Sequence, residues 1–313
     1  MNTFTTLLIL STVLSCVYGQ TVYTLNRNAV ASMQWNTNTF QQFNLPEQLF
    51  EVHQISGANN GAVYSLISNY SNYFSLVAID SNSGNIKQVE GMYSTSEFPT
   101  AQFTNVFYDS NLNSAALLFE GNDESSDSQS VDGPTDLALL VYRFQENQIQ
   151  STWLGPLNGI VMGSYDQSNQ LYYIANVYQT GSYKVSVYNT TTGSSVRSTT
   201  IYAPKISPNS LYYVLAANGN LFSFVNIGIK VEIYYLNIEN SSQELVGIIS
   251  TGFWQAIDAF SAFFDPATSS VYFSVYSDSQ SSIFQLSFSA MSINTVYAQT
   301  AVQLKGDLVY VQQ

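Results

Sequence analysis

The clearest strand pattern in the chain lies in residues 165–201, which read YDQSNQLYYIANVYQTGSYKVSVYNTTTGSSVRSTTI. An aromatic-Asp pair opens this stretch, and an apolar, aromatic run follows at residues 171–174. Apolar and polar side chains then alternate through residues 183–189 and, after a polar turn, return at residues 194–201. A period of two in short segments between turn residues is typical of β-strands, so this stretch predicts strand, turn and hairpin rather than helix.

Similar runs recur along the chain, and turn-forming residues precede most of them. The runs lie at residues 62–67, 115–119, 171–174, 211–214, 271–275 and 308–311. Three follow the aromatic-Asp pairs Tyr108-Asp109, Tyr165-Asp166 and Phe264-Asp265, and two follow the variant turns 55–57 and 206–209. Short polar side chains such as Asp cap backbone N–H groups within turns. We therefore interpret these aspartates as structural turn formers rather than as ligands.

A second unit, a hairpin of two alternating strands, also recurs. Its copies pair residues 28–35 with 39–45, 73–80 with 85–90, 136–144 with 148–153, 183–189 with 194–201, 230–237 with 243–249, and 282–289 with 293–298. We interpret the aromatic runs as inner strands and the hairpins as outer strands of successive sheets. The two series are out of phase by one, because the chain begins with a hairpin and ends with a run.

This phase difference predicts how the fold closes. The C-terminal strand 308–311 should pair with the sheet that the N-terminal hairpin 28–45 begins, which leaves no unpaired sheet edge at the junction. The repeat of about 49 residues is close to the usual length of a propeller blade. The chain therefore resembles an all-β, six-bladed β-propeller closed by that pairing. The resemblance covers residues 20–313 as a single domain.

The resemblance is one of architecture and points to no specific family. The sequence has no WD dipeptide pattern, no kelch double glycine and no Asp-box of the sialidase type. Propellers of five or seven blades, or two stacked β-sandwiches, are alternatives that the repeats leave open.

The N-terminus predicts a signal peptide over residues 1–19, cleaved between Gly19 and Gln20. Its uncharged apolar run at residues 5–14 is too short to span a bilayer. The alternatives are a buried N-terminal strand or helix, or a lipoprotein anchored through Cys16, which the absent basic residues disfavour. We expect a secreted, extracellular protein without a transmembrane anchor. Because Cys16 is the only cysteine, the mature form would have no disulfide.

Charge is scarce and negative. Only 9% of residues are charged and the net charge is −13, whereas 45% are hydrophobic. Such a chain has enough apolar surface for a core, and its acidity disfavours nucleic acid as a partner. The sequons at Asn69, Asn189 and Asn240 predict a glycoprotein.

An acidic insertion at residues 120–136 interrupts one repeat between its aromatic run and its hairpin. Asp123, Glu124, Asp127 and Asp132 are candidate ligands for Ca²⁺, a cation that takes six to eight oxygen ligands. Their spacing does not match an EF-hand loop. The structural alternative is a solvated acidic loop, in which like charges repel. No other cofactor is expected.

Signals for catalysis are weak. His53, the only histidine, lies two residues from Glu51, but no Gly-x-Ser-x-Gly nucleophile motif is present, and we interpret His53 as structural. A carboxylate pair drawn from Glu51, Glu97 and Asp258 would suffice for glycoside hydrolysis at a suitable separation. The sequence does not establish that the protein is an enzyme. It favours a non-catalytic function, that of a secreted recognition or extracellular-matrix protein that binds a protein or carbohydrate. The alternative is a secreted hydrolase that uses channel carboxylates, with or without Ca²⁺.

Aromatic residues are numerous and could serve either packing or sugar binding. We interpret Tyr172, Tyr173, Tyr212 and Tyr213 as core or inter-sheet residues, because stacked sheets bury aromatics. Trp153 and Trp254, near predicted loop ends, are the better candidates for exposed contact with sugar rings.

Overall fold

The structure is a computed structural model of an all-β protein. It describes residues 21–25, 29–34, 39–45, 51–59, 62–69, 73–80, 83–94, 102–109, 111–121, 136–156, 159–250, 259–265, 269–276, 281–287, 296–300 and 307–312. Every regular element in these ranges is a β-strand. None of the residues described belongs to a helix long and apolar enough to cross a membrane.

The described strands form six four-stranded antiparallel sheets, which we name A to F. Sheet A contains β1 (Thr21–Leu25), β2 (Ala29–Gln34) and β3 (Thr39–Asn44). Sheet B contains β4 (Glu51–Asn59), β5 (Ala62–Asn69), β6 (Tyr73–Asp80) and β7 (Ile86–Ser94). Sheet C contains β8 (Gln102–Asp109), β9 (Ser114–Gly121), β10 (Asp136–Arg143) and β11 (Gln148–Pro156).

The second half of the chain continues the same order. Sheet D contains β12 (Ile160–Asp166), β13 (Leu171–Gln179), β14 (Ser182–Asn189) and β15 (Ser195–Tyr202). Sheet E contains β16 (Tyr212–Ala217), β17 (Asn220–Ile227), β18 (Lys230–Asn237) and β19 (Ser242–Ser250). Sheet F contains β20 (Ala259–Asp265), β21 (Ser270–Tyr276), β22 (Ser281–Ser287) and β23 (Val296–Thr300). The last strand, β24 (Asp307–Gln312), belongs to sheet A, whose order is β24-β1-β2-β3.

The predicted hairpins are confirmed as the last two strands of each sheet. In sheet E, for example, the hairpin predicted at 230–237 and 243–249 is β18 paired with β19, with Val231 opposite Ile249. The alternating pattern identified these strands because one of their two faces is more buried than the other. In β14, for example, Tyr183, Val185 and Val187 are buried and Lys184 is exposed.

The aromatic runs fall in the first two strands of every sheet, ahead of the hairpin, but in four sheets they are not the first strand. In sheets B, C, D and F the run is the second strand, and a preceding segment supplies the first. Only the runs at 211–214 and 308–311 fall in first strands, β16 and β24. The variant turn predicted at 206–209 lies in the connection between sheets D and E, and the one at 55–57 lies within β4, where the register shifts.

The C-terminal strand lies in the sheet predicted for it, but its direct partner differs. Val311 of β24 pairs with Val22 of β1, and Val22 pairs in turn with Met33 of β2. The sequence interpretation overlooked β1, which stands between the C-terminal strand and the predicted hairpin. One strand therefore separates the two elements that were expected to pair.

Sheets D and E lie side by side with their first strands parallel. The Tyr212 hydroxyl donates to the Ile160 carbonyl at 2.7 Å near the start of both strands, and the Ala216 amide donates to Ser164 Oγ at 2.7 Å further along. We call the end of a sheet where its first strand begins the connection end, and the opposite end the turn end. The two connection ends therefore lie on the same side of the molecule.

The core between sheets D and E is apolar and includes the predicted tyrosines. Tyr173 and Tyr212 are buried there with Val177, Val185 and Leu221. Tyr172 is buried in the next interface, between sheets C and D, whereas Tyr213 is half-buried against the core between sheets E and F. Burial of apolar surface on this scale is the main stabilising contribution to such a fold.

Candidate functional site

Two of the three predicted turn aspartates, Asp109 and Asp166, are structural as predicted, and the side chain of the third, Asp265, lies outside the described residues. Asp109 Oδ1 accepts hydrogen bonds from the backbone amides of Asn111 at 2.9 Å and Leu112 at 3.3 Å. Asp166 Oδ1 caps its own turn in the same way, and its Oδ2 also accepts a hydrogen bond from the Gly219 amide of sheet E at 2.5 Å. The carboxylates of Asp109 and Asp166 are buried and hydrogen-bonded at the turn end, so they are not available to bind a metal ion or another ligand.

Several predicted site residues lie outside the described part of the chain. These are the candidate Ca²⁺ ligands Asp123, Glu124, Asp127 and Asp132, the cleavage residues Gly19 and Gln20, and Cys16, Glu97, Trp254 and Asp258. Glu51 and His53 lie in β4, opposite Ser68 and Leu66, but their side chains are also outside it. Among the described residues no group of three or more His, Cys, Asp or Glu side chains is placed to hold a metal ion.

The three sequons occupy two kinds of position. Asn69 is the last residue of β5 and Asn189 the last of β14, rather than loop residues as predicted. Asn189 is half-buried, and its Oδ1 accepts hydrogen bonds from the amides of Thr191 and Thr192 at 2.9 and 3.0 Å. Asn240 is exposed in the turn between β18 and β19. Glycosylation of all three remains a prediction.

An exposed patch lies at the connection end of sheet D. Lys184 of β14 is paired with Asn176 of β13 on one side and with Thr200 of β15 on the other. Side chains of directly paired residues share one face of a sheet, and Tyr202, two residues beyond Thr200, shares it too. Tyr202 is 72% exposed and Tyr178 40% exposed. We call Lys184, Thr200 and Tyr202 the tyrosine–lysine patch; Tyr178 lies at the same end of sheet D, beyond a shift in the β13–β14 register that follows Asn176.

Asn176 adds an unusual polar atom to the edge of this patch. Its Oδ1 is buried and has no hydrogen-bond partner among the described residues. A buried polar group left without a partner costs about 1–3 kcal/mol, so such groups are rare and need an explanation.

The neighbouring sheet is tied to sheet D at the opposite end. Arg143 Nη2 donates to the Thr191 carbonyl at 2.5 Å, and Gln150 Nε2 donates to the Thr192 carbonyl at 2.7 Å. Thr152 Oγ1 donates to the Gly193 carbonyl at 3.2 Å. These bonds fix the outer strands of sheet C against the β14–β15 turn, so the turn end is occupied by contacts within the protein while the patch at the connection end is exposed.

A second polar cluster lies at the connection end between sheets D and E. Glu232 of β18 is buried and accepts hydrogen bonds from Lys205 Nζ at 2.8 and 2.7 Å and from the hydroxyl of Tyr234. Burial alone would raise the pKa of Glu232, but the hydrogen bonds and charge of Lys205 outweigh it, and the pKa is lowered. The same hydrogen bond raises the pKa of Lys205. Glu232 is therefore a charged, satisfied group.

Charge is distributed unevenly over sheets D and E. Residues 159–250 contain equal numbers of basic and acidic residues, unlike the strongly acidic chain as a whole: Lys184, Arg197, Lys205 and Lys230, and Asp166, Glu232, Glu239 and Glu244. The three lysines all lie toward the connection end, whereas three of the four acids lie toward the turn end. Within sheets D and E the positive charge therefore lies toward the connection end, although Lys205 there is paired with Glu232 and Asp136 begins β10 at the same end of sheet C.

Two exposed tyrosines, an exposed ammonium group and a buried amide oxygen without a partner among the described residues lie at one end of sheet D. The sequence interpretation missed the patch and favoured Trp153, which is half-buried in β11. Glu232 carried a usable signal, since a carboxylate within the apolar run of β18 predicts a buried ion pair.

Comparisons with known proteins support the fold alone. No known family model matches the chain, and no curated protein matches it. Among solved structures, a protein from Lactobacillus plantarum aligns with a TM-score of 0.55 at 10% identity, covering 94% of this chain and 99% of that one. A putative 6-phosphogluconolactonase from Bacteroides uniformis aligns with a TM-score of 0.53 at 12% identity, covering 94% and 98%.

TolB from Acinetobacter baumannii aligns with a TM-score of 0.53 at 11% identity, covering 93% of this chain. This chain spans 65% of that TolB chain. At such low identities the likeness carries fold but not activity. Together with the six four-stranded sheets of the described residues, it shows that the chain has an all-β, propeller-type fold.

Proposed function

We propose that this chain is a secreted, non-catalytic recognition or extracellular-matrix glycoprotein that binds a protein or carbohydrate partner through the connection end of sheet D. The observation that carries the proposal is the tyrosine–lysine patch, in which Tyr202 is 72% exposed on the same face of sheet D as Lys184. Tyrosine provides a large, rigid contact area at low entropic cost, which is why binding surfaces favour it. The apolar N-terminal run and the sequons support the extracellular location.

We further infer that the six sheets are the blades of one closed, six-bladed ring. First strands of successive sheets contact one another, from β4 through β8, β12, β16 and β20 to β24, and β24 contacts β4. The pairing of β24 with β1 supports the same closure. A rigid ring would hold the patch in a fixed orientation, which lowers the entropic cost of binding.

Binding to a defined surface residue tests the proposal. Residues 20–313 would be secreted from a eukaryotic host and screened against glycans and extracellular proteins. Tyr202→Ala should abolish capture of the partner found, whereas Val196→Ala should not. Val196 is a matched control because it is 57% exposed on the same strand, β15, at the turn end. Equal loss in both variants, or in neither, would contradict the proposal.

The hydrolase alternative predicts a different outcome. It requires two carboxylates separated by about 5–10 Å, with or without a Ca²⁺ ion. Turnover of a glycoside that survives Tyr202→Ala and is lost in Glu51→Gln or Asp258→Asn would replace the recognition proposal. Retention of Ca²⁺ by the protein, lost after removal of residues 122–135, would test the acidic insertion separately.

A further inference from the structure

We propose that the tyrosine–lysine patch binds a carboxylate-bearing carbohydrate, such as an oligosaccharide with uronic-acid units. This inference rests on the recognition function proposed above and specifies its ligand. It follows from the exposed Tyr202 ring and the exposed Lys184 ammonium group that one face of sheet D brings together at its connection end. Each of these groups matches one feature of an acidic sugar.

The two tyrosines match the apolar faces of sugar rings. Tyr178 and Tyr202 belong to β13 and β15, which β14 separates, so their backbones lie about 10 Å apart. C–H groups on one face of a pyranose stack on an aromatic ring, and the phenol hydroxyl remains free for hydrogen bonding. Tyr202 shares its face of the sheet with Lys184, so one sugar unit that stacks on this ring lies next to the ammonium group.

Lys184 matches the carboxylate. It is exposed between the two tyrosine-bearing strands, and no ion pair engages it among the described side chains. An ammonium group carries three hydrogen-bond donors and attracts a carboxylate more strongly than a neutral hydroxyl. Lys230 at the connection end of sheet E adds to the positive potential, whereas Lys205 is neutralised by its ion pair with Glu232 and Asp136 begins β10 at the same end of sheet C.

Lys184 also suits the hydroxyl groups of a sugar, because its ammonium group donates hydrogen bonds that a hydroxyl accepts. Asn176 lies beside Lys184 in the strand register, but its Oδ1 is buried and out of reach of a ligand. An acidic peptide would supply carboxylates but offers no ring face for the tyrosines unless its sequence contains one.

The acidity of the rest of the chain limits the charge density of the ligand. With a net charge of −13, the protein repels densely charged polymers such as nucleic acids or highly sulfated chains. At physiological salt this repulsion is screened beyond about 8 Å, so an isolated carboxylate near Lys184 is attracted while a dense polyanion is not. The expected ligand therefore carries one carboxylate per sugar unit or fewer.

Calorimetry with a matched ligand pair tests the inference. The secreted protein would be titrated with an oligogalacturonate and with its methyl ester, which keeps the rings but removes the charge. We expect the acid to bind at least about tenfold more tightly, an advantage that Lys184→Gln abolishes and added salt reduces. Tyr202→Ala should weaken both ligands by about tenfold or more, because both stack on the ring.

Control variants separate these effects from unfolding. Lys87→Gln removes an exposed lysine of β7 in sheet B, and Val196→Ala removes an exposed side chain at the turn end of β15. Both should bind like the wild type, and all variants should keep the wild-type urea midpoint. Equal affinity for acid and ester, or displacement of the sugar by poly-glutamate at similar concentration, would overturn the carbohydrate assignment.

The same design distinguishes failure of this inference from failure of the proposed function. If no sugar binds but an extracellular protein is captured in a Tyr202-dependent way, the ligand assignment is wrong and the recognition function stands. If Tyr202→Ala leaves every binding activity intact, both proposals are wrong.

Discussion

The phenol of Tyr165 in sheet D donates a hydrogen bond to Asp109 Oδ2 in sheet C at 2.7 Å. The other oxygen of this carboxylate accepts from the side-chain amide of Gln167 at 3.0 Å and from two amides of its own turn. One buried side chain thus shapes a turn and joins two sheets. Burial and the Asp109 carboxylate raise the pKa of Tyr165, which keeps its proton in place.

We expect Tyr165→Phe to lower the free energy of unfolding by about 1.5–3 kcal/mol, because it removes a hydrogen bond to a charged group in a buried site. Tyr142→Phe is the matched control, since the Tyr142 hydroxyl donates to the neutral Asn147 Oδ1 at 2.6 Å within one sheet. Its cost should be about 1 kcal/mol. Urea unfolding measures both, and a Tyr165→Phe cost no larger than the control would contradict the role assigned to Asp109.

Gly163 is required by the ring that crosses it. A Cβ at this position would lie 2.3 Å from the Tyr172 hydroxyl oxygen and 2.7 Å from its Cε1. Tyr172 is fully buried and has no room to move away. We therefore expect Gly163→Ala to lower the free energy of unfolding by about 1–3 kcal/mol, the usual cost of overpacking.

A double-mutant cycle checks this cause. In the Tyr172→Phe background the nearest atom is gone, so Gly163→Ala should cost less than it does in the wild type. An equal cost in both backgrounds would show that the hydroxyl is not the obstacle.

The sequence predicted the outer half of each sheet better than the inner half. In β14 the buried Tyr183, Val185 and Val187 alternate with more exposed residues, and the hairpin was found. In β12 the residues from Gly163 to Asp166 are all buried, since neighbouring sheets cover both faces of the first strand. Burial on both faces removes the period-two signal, so first strands such as β12 were overlooked.

The candidate site could not be predicted from the sequence, and the reason is different. Tyr202 and Tyr183 look alike in a local pattern, yet Tyr202 is 72% exposed and Tyr183 fully buried. Only the order of strands and the position of the connection end show which tyrosine reaches the surface. The turn aspartates needed no such information, because turn chemistry is local.

Ser269 occupies a backbone conformation that its side chain disfavours. Its φ is 49°, and Asn113 and Asn218 have similar positive φ values in the corresponding turns of sheets C and E. Asparagine and glycine tolerate this region better than serine. We expect Ser269→Asn or Ser269→Gly to raise the free energy of unfolding by up to about 1 kcal/mol, and Ser269→Ala to give no gain. Thermal unfolding would measure the series, and a gain with alanine would refute this explanation.

The side chains of two sequon asparagines, Asn189 and Asn240, are described, and Asn240 should be the better glycan acceptor. It is exposed in a turn, whereas Asn189 is half-buried and its Oδ1 is held by two backbone amides. In protein secreted from a eukaryotic host, Asn240→Gln should remove one glycan in nearly every molecule. Asn189→Gln should remove less on average, and mass spectrometry of intact protein measures both. Higher occupancy at Asn189 would contradict the accessibility argument.

The Glu232–Lys205 pair should make stability depend on pH in a defined direction. Because the folded protein lowers the pKa of Glu232, the pair contributes stability above the ordinary glutamate pKa of about 4.3 and loses it as pH falls through the folded value. The raised pKa of Lys205 extends the contribution at high pH until it is lost above about 10.4.

Glu232→Gln tests this dependence against an exposed control. The variant should be less stable than the wild type at pH 7, and the difference should shrink as the pH falls below the ordinary glutamate pKa of about 4.3 and Glu232 of the wild type takes up a proton. Glu239→Gln removes an exposed carboxylate from the β18–β19 turn and should show no such convergence. Urea midpoints measured from pH 2 to pH 7 give the answer. A constant difference across that range would mean that Glu232 stabilises the sheet through its shape rather than its charge.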